Sequence, residues 1–156
     1  MDFYISKEEV VKSLNATLGV VEKRQTLPIL SNVLLEVDES SLKITATDLE
    51  SEISTTSTIS NFKSGGKTTA PARKLNDLCR LLPDLTEIHL FLDGDNLKIE
   101  TESGKYNIST LPSDDFPIFE LEEAKSQINI SSKNLKSIIS NTSFAMGNQD
   151  WRHYLN

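Results

Sequence analysis

The sequence predicts an α+β fold: antiparallel sheet with paired helices on one face, each domain built from two β-α-β-β-β halves. Three observations carry the prediction. A short strand, a capped amphipathic helix and further strand-like sequence begin near Tyr4, again near Thr68 and again near Ile128. Recurrence at a period of about 60 residues marks one supersecondary unit used several times. The helical stripes also correspond. Leu75, Leu78, Cys79 and Leu82 sit at i, i+3, i+4 and i+7, and Leu135, Ile138, Ile139 and Thr142 repeat that spacing. Behind the stripes lie Arg73, Asn76, Asp77 and Arg80 in one helix and Lys133, Lys136, Ser137 and Ser140 in the other. Two helices cannot cover both faces of eight strands, so they are expected to pack together on one face and turn their basic residues outward.

The first helix is a looser copy, with Val10, Val11, Leu14, Leu18 and Val21 inward and Lys12 outward. Ser6, followed three residues later by Glu9, forms a capping box that sets its start. Leu27-Pro28-Ile29-Leu30 breaks the helix. Val33, Leu35 and Val37 then alternate with Leu34 and Glu36, and a turn at Asp38-Glu39-Ser40-Ser41 leads to Leu42, Ile44 and Ala46. Residues 47–59 read as a third strand rich in Ser and Thr, closing at Ser64-Gly65-Gly66. In the second half Pro71 stands at the helix start, where its missing N–H costs nothing. Ile88-Leu90-Leu92 and Leu97-Ile99 flank a tight Asp93-Gly94-Asp95-Asn96 turn, and Tyr106-Ile108-Thr110 closes the unit. Residues 111–125, with two prolines and five acids, have neither helical nor strand period and read as a boundary. The first domain is expected over 1–122, and 123–156 as the start of a second, incomplete domain whose half-unit is truncated.

The 156 residues, 37% hydrophobic and 25% charged, fit a globular chain rather than a disordered one. The longest apolar run falls far short of a membrane span, and the N-terminus lacks a signal-peptide layout, so the cytoplasm is the expected compartment. Cys79 lies on an apolar helix face and reads as a reduced core residue. The net charge of −7 taken alone argues against nucleic acid, but its distribution matters more. Residues 84–102 hold six acids and one base, and residues 113–123 five acids and no base. Arg73, Lys74, Arg80, Lys133, Lys136 and the Lys23-Arg24 pair lie on outward helix faces and nearby loops. Lys and Arg on one helix face are often only solvated; the same pattern on successive helices favours a surface fit for a polyanion.

No catalytic constellation emerges, and no cofactor or metal is expected. Asp48, Glu50 and Glu52 at i, i+2, i+4 fall on one face of a strand and read as an outward acidic strand rather than a metal site. His89 and His153 lack a ligand partner at metal spacing, and Gly65-Gly66 is too little for a phosphate loop. Residues 146–154 are different: they mix Gln149, Arg152, Trp151 and Tyr154 on a glycine-containing loop after a basic helix, a composition suited to phosphates and stacked bases. Trp151 and Tyr154 equally suit the core of a following strand.

Five blocks carry a resemblance to a known family: Arg24-Gln25-Thr26-Leu27-Pro28-Ile29-Leu30, Thr47-Asp48-Leu49-Glu50, Pro71-Ala72-Arg73-Lys74, Ser109-Thr110-Leu111-Pro112 with Asp115-Phe116-Pro117, and residues 149–156. Spread in order over the whole chain, they resemble the bacterial DNA polymerase III β subunits, the replication sliding clamps. The resemblance implies a DNA-clamp fold and a non-catalytic processivity factor, whose full-length subunits form a two-copy ring around duplex DNA. It implies head-to-tail pairing of the two copies and partnership with the replicative polymerase and the clamp loader.

By the same resemblance Arg24, Arg73, Gln149 and Tyr154 match DNA-contacting positions. His153 stands where the family usually has a tyrosine, keeping a ring and adding a titratable group; Arg152 joins the set on charge alone. Lys105, Tyr106, Asn107 and Ile108, with Lys74 beside them, match the strand edge that pairs with the other subunit. Leu155 matches one wall of the partner-peptide pocket. The chain itself looks like the first domain plus the opening of the second, a fragment unable to close a ring alone. Two other readings compete: a protein-interaction module using an exposed strand edge, and a hydrolase using Asp48, Glu50 and His89.

Overall fold

The computed structural model describes residues 1–21, 27–119, 126–147 and 151. The chain divides into two compact units, Met1–Phe119 and Glu120–Asn156.

The first unit runs β1 (Asp2–Ser6), α1 (Lys7–Thr17), β2 (Asn32–Val37), β3 (Ser41–Thr47), β4 (Glu52–Thr58), β5 (Asn61–Ser64), β6 (Gly66–Pro71), α2 (Ala72–Leu81), β7 (Glu87–Asp93), β8 (Asn96–Thr101) and β9 (Gly104–Ser109). The antiparallel α+β architecture is the expected one, but the strands form two sheets, ordered β5-β1-β7-β8-β9 and β4-β3-β2-β6. The two halves exchange their leading strands. β1 pairs with β7 of the second half, Phe3 opposite Leu90 and Ile5 opposite Ile88. β6 pairs with β2 of the first, Val33 opposite Ala70 and Leu35 opposite Thr68. The exchange leaves neither half able to bury its apolar face alone. Phe3, Ile5, Leu35, Ile44, Leu75, Ile88, Leu97, Ile99 and Ile108 accordingly belong to one continuous core.

The helix boundaries follow the sequence signals. Ser6 caps α1, its hydroxyl accepting the Glu9 N–H. Pro71 precedes the first turn of α2. The helices pack against each other, α1 also lying on β3 and β4, and α2 on β2 and β6. The α1 contact with β4 is partly polar: the Ser13 and Ser57 hydroxyls are 2.5 Å apart, and Ser57 donates to the Glu9 carbonyl. That is why Ser13 and Thr17 join the buried stripe of α1. Asn76, expected on the outward face of α2, is buried; the helix packs against another helix as well as a sheet, so its covered arc is wider than the apolar stripe.

Other expectations are corrected. Thr47 to Glu52 is not a continuous strand. The Asp48 carboxylate accepts the Glu50 and Ser51 N–H groups at 2.9 and 2.7 Å, and Leu49 has φ +74°, so the chain reverses between β3 and β4. Asp38 does the same for Ser40 and Ser41 between β2 and β3. β5 is an additional strand, set beside β1 rather than β4. Leu34, read as the outward alternate of β2, is buried together with Leu30 and Phe116. A short 3-10 helix at Pro28–Ser31 packs against β2 and another at Ser113–Asp115 against β6, so this face of the sheet is covered too. Gly94, φ +56°, supplies the first residue of the two-residue β7–β8 turn, as the sequence required.

In the second unit the described residues form α3 (Ser132–Thr142) and a 3-10 turn at Ser143–Ala145. Ser131 caps α3 by accepting the Asn134 N–H. Leu135, Ile138 and Ile139 were expected to point into a sheet. They are 45%, 53% and 55% exposed, because the described residues of this unit include no strand for the stripe to cover.

Candidate DNA-facing surface and subunit edge

α2 places Arg73, Lys74 and Arg80 on its outer arc, with Asp77 the one acid of the helix. Leu75 and Cys79 on the other arc bury completely, which fixes the rotation of the helix and hence the direction of the bases. None of the three bases makes an ion pair with another described residue. Arg73 is exposed, yet its Nη2 donates to the Val21 carbonyl at 2.7 Å, where the chain leaves α1. The bond orients the guanidinium while leaving its other N–H groups available to an anion. α1 contributes less charge: Lys12 is exposed and lies 4.0 Å from Glu9. Lys133 and Lys136 are exposed on α3. Arg24, Gln149, Arg152, His153, Tyr154 and Leu155 lie outside the described residues.

β9 is an edge strand, paired with β8 alone among the described strands, and β6 of the other sheet comes into contact with it. α2, which carries Lys74, follows β6 directly. The four expected interface residues differ in kind. Lys105 and Asn107 are exposed, opposite Glu100 and Lys98, and Lys105 Nζ donates to Glu100 Oε1 at 2.8 Å. Tyr106 is 38% exposed, whereas Ile108, opposite Leu97, is fully buried. Ile108 is therefore a core residue of the edge strand, and the open character of the edge comes from Lys105 to Asn107.

The residues of the hydrolase reading are not brought together. Asp48 and Glu50 belong to the β3–β4 turn of one sheet and His89 to β7 of the other. The described residues hold no group of three or more His, Cys, Asp or Glu placed to bind a metal ion. Cys79 is buried, and loss of hydration pushes its thiol pKa up to about 12, the reverse of nucleophile activation.

Sequence reasoning missed a cross-strand row on the outer face of the first sheet: Asn61, Tyr4, His89, Glu100 and Lys105 stand opposite one another across all five strands. His89 Nε2 is 2.7 Å from Asp2 Oδ1, and its ring stacks on Tyr4 at 4.3 Å. Asp2 and Tyr4 of β1 are far in sequence from His89 and Glu100, and only the register of β1 against β7, extended by that of β7 against β8, unites them.

The described helices include none long and apolar enough to cross a membrane. Residues 1–122 match the family model for the DNA polymerase III beta subunit, N-terminal domain. The chain is 39% identical over 156 residues to the beta sliding clamp of Vibrio cholerae and 41% identical to that of Pseudomonas aeruginosa. All of this chain is covered in both alignments, but only 43% and 42% of those proteins. Among solved structures, the DNA polymerase III subunit beta of Pseudomonas aeruginosa superimposes with a TM-score of 0.93 at 40% identity. The Caulobacter crescentus pol III beta gives 0.94 at 35%, and each covers 100% of this chain against 42% of its own. Family model, sequence relatives and fold agree on one assignment, and the chain belongs to the DNA polymerase III beta subunit family.

Proposed function

We propose that this chain supplies the N-terminal part of a DNA sliding clamp, a ring of two head-to-tail subunits that tethers the replicative polymerase to duplex DNA. The observation that carries the proposal is α2: three bases without described ion-pair partners on the arc opposite a fully buried stripe, in a protein of net charge −7. A ring that slides must hold phosphates without reading bases, because base-specific contacts would pin it. A few dispersed Arg and Lys satisfy that requirement, and the acidic remainder disfavours DNA elsewhere. Arg24, Arg73, Gln149, Arg152, His153 and Tyr154 form the proposed DNA-contacting set. Lys74 and the edge from Lys105 through Tyr106 and Asn107 to Ile108 form the subunit interface. Leu155 contributes one wall of the pocket for polymerase and other partner peptides, the clamp loader opens the ring, and the assembly works in the cytoplasm. The role is mechanical and needs no catalytic group or cofactor.

Enclosure makes a sharp test. This chain alone is expected to bind duplex DNA with ordinary non-specific affinity, roughly 10⁻⁴ to 10⁻⁶ M, falling steeply with salt. The chain extended to its relatives' full length is expected to stay on nicked circular DNA at salt that strips it from linear DNA. Equal loss from circles and linear molecules refutes enclosure.

A further inference from the structure

Asp93 is the only aspartate of the chain followed by glycine, and no asparagine is. It ends β7 opposite Asn96, and Gly94 and Asp95 make the turn between them. Its carboxylate is 70% exposed and accepts no hydrogen bond among the described residues; its ion-pair partner, Lys98 Nζ, stands 3.8 Å away. The aspartates of the other turns are occupied. Asp38 and Asp48 each accept two N–H groups, from the residues two and three ahead, which holds the carboxylate away from the nitrogen that follows it. Asp84 accepts from Lys7 and precedes a leucine. Gly94, at φ +56°, has no atom beyond its chain neighbours within 4 Å of the place a Cβ would take, so that side of its backbone is open.

We propose that Asp93 is a site of spontaneous isomerisation to isoaspartate. The Gly94 nitrogen attacks Cγ of the Asp93 carboxylic acid. The new N–Cγ bond closes a succinimide ring, and the amide proton leaves with the carboxyl hydroxyl as water. A second water then opens the ring at the main-chain carbonyl of Asp93, breaking its bond to the Gly94 nitrogen. One water leaves and one enters, and no electron is transferred. The product carries the chain through Cβ and Cγ, so the turn is one methylene longer, and the former main-chain carbonyl becomes a free carboxylate. A two-residue turn sets the register of its strands, and that register does not survive a longer backbone. The flanks of this turn are tied: the Leu92 N–H donates to the Met1 carbonyl at 3.0 Å and the Thr110 N–H to the Asp95 carbonyl at 2.9 Å. These bonds leave the Asp93 carboxylate free. Lengthening the chain between them loosens the Asp93–Asn96 pair and, through Asn96 opposite Ser109, the end of β9. That consequence for the subunit edge rests on the function proposed above; the modification itself does not.

The test is incubation of the folded chain in neutral buffer made with heavy-oxygen water, followed by digestion and electron-transfer fragmentation, which separates isoaspartate from aspartate. Label and isoaspartate are expected at Asp93 several-fold above any other aspartate, with amide protection lost at Leu92 and Thr110 in the aged fraction. Asp93→Glu should lose the signal, because glutamate would have to close a larger ring, and should keep the melting temperature. Gly94→Asn keeps a residue that tolerates the left-handed turn but crowds the nitrogen, and should lower the signal several-fold. A peptide spanning residues 88–98 supplies the behaviour of the unrestrained chain. Isoaspartate in the peptide but none in the folded chain would show that the hairpin protects the site, and would overturn the proposal. So would equal labelling at Asp95 or Asp114, or an undiminished signal in Gly94→Asn. None of these readouts involves DNA or a second subunit, so either proposal can fail without the other.

Discussion

Arg73 Nη2 donates to the Val21 carbonyl at 2.7 Å, so the guanidinium proposed to face DNA also ties the start of α2 to the exit of α1. Charge and hydrogen bond are separable. Arg73→Ala should shallow the dependence of log affinity on log salt by about one unit, as loss of one phosphate contact requires. It should also cost about 1 kcal/mol of stability for the lost bond. Arg73→Lys should keep the salt slope and still lose most of that bond's contribution to stability. Fluorescence anisotropy across a salt series, with thermal melts of each variant, makes the comparison; an unchanged slope in Arg73→Ala removes Arg73 from the DNA surface.

The exposed edge of β9 invites pairing with another chain. Asn107 is exposed on it, so Asn107→Lys should reduce any self-association seen by sedimentation while leaving the melting temperature nearly unchanged. Ile108→Lys is a different experiment: Ile108 is fully buried, and an unpaired ammonium there should cost several kcal/mol and abolish cooperative folding. A soluble, folded Ile108→Lys protein would contradict the inward orientation of that side chain.

Cys79 is completely buried and its thiol pKa is pushed up to about 12 by burial. Iodoacetamide should therefore leave the native protein unmodified at pH 8 and label it in denaturant. The unfolded thiol ionises near its usual 9.0 while the folded one stays protonated, so this group also erodes stability as pH rises above about 9. Cys79→Ala should retain the fold and lose that alkaline slope. Native labelling at the unfolded rate would show that the α2 core opens readily.

Glu36 is held below the ordinary 4.5 first by the hydrogen bond from Lys67, at 2.7 Å, with Lys43 adding to it at 3.3 Å. Asp38 is lowered by the Ser40 and Ser41 N–H groups, Asp84 by Lys7 and Glu100 by Lys105. All four are depressed, so the unfolded chain binds more protons at acid pH. Their stabilisation is present above the unfolded values and is lost as pH falls below about 4.5. Denaturation midpoints should drop through that range, and Glu36→Gln with Asp38→Asn should flatten the decline. An undiminished slope in the double variant would place the acid sensitivity elsewhere.

The sequence by itself determined the helices, most of the strands and the buried stripes of α1 and α2, though not that of α3, whose Leu135, Ile138 and Ile139 are about half exposed. Those features rest on local periodicity and on capping chemistry that acts within four residues, as at Ser6 with Glu9 and at Ser131 with Asn134. It also marked the charge asymmetry, since Arg73 and Arg80 must face away from a stripe that buries Leu75 and Cys79. The tertiary structure decided the rest. That β1 joins β7 and β6 joins β2 depends on long-range pairing, which no spacing along the chain encodes. Leu34 is buried on a face that alternation alone assigns to water, in a sheet that the 3-10 segments Pro28–Ser31 and Ser113–Asp115 contact at β2 and β6. Asp48 read as a strand residue because alternating carboxylates fit a period of two; two backbone N–H groups converging on its oxygen made it a turn instead. The cross-strand row on the first sheet was invisible because it is long-range. Tyr4, His89 and Glu100 become neighbours only when three strands are laid in register, and hydrogen-bonded register is a property of the assembled sheet.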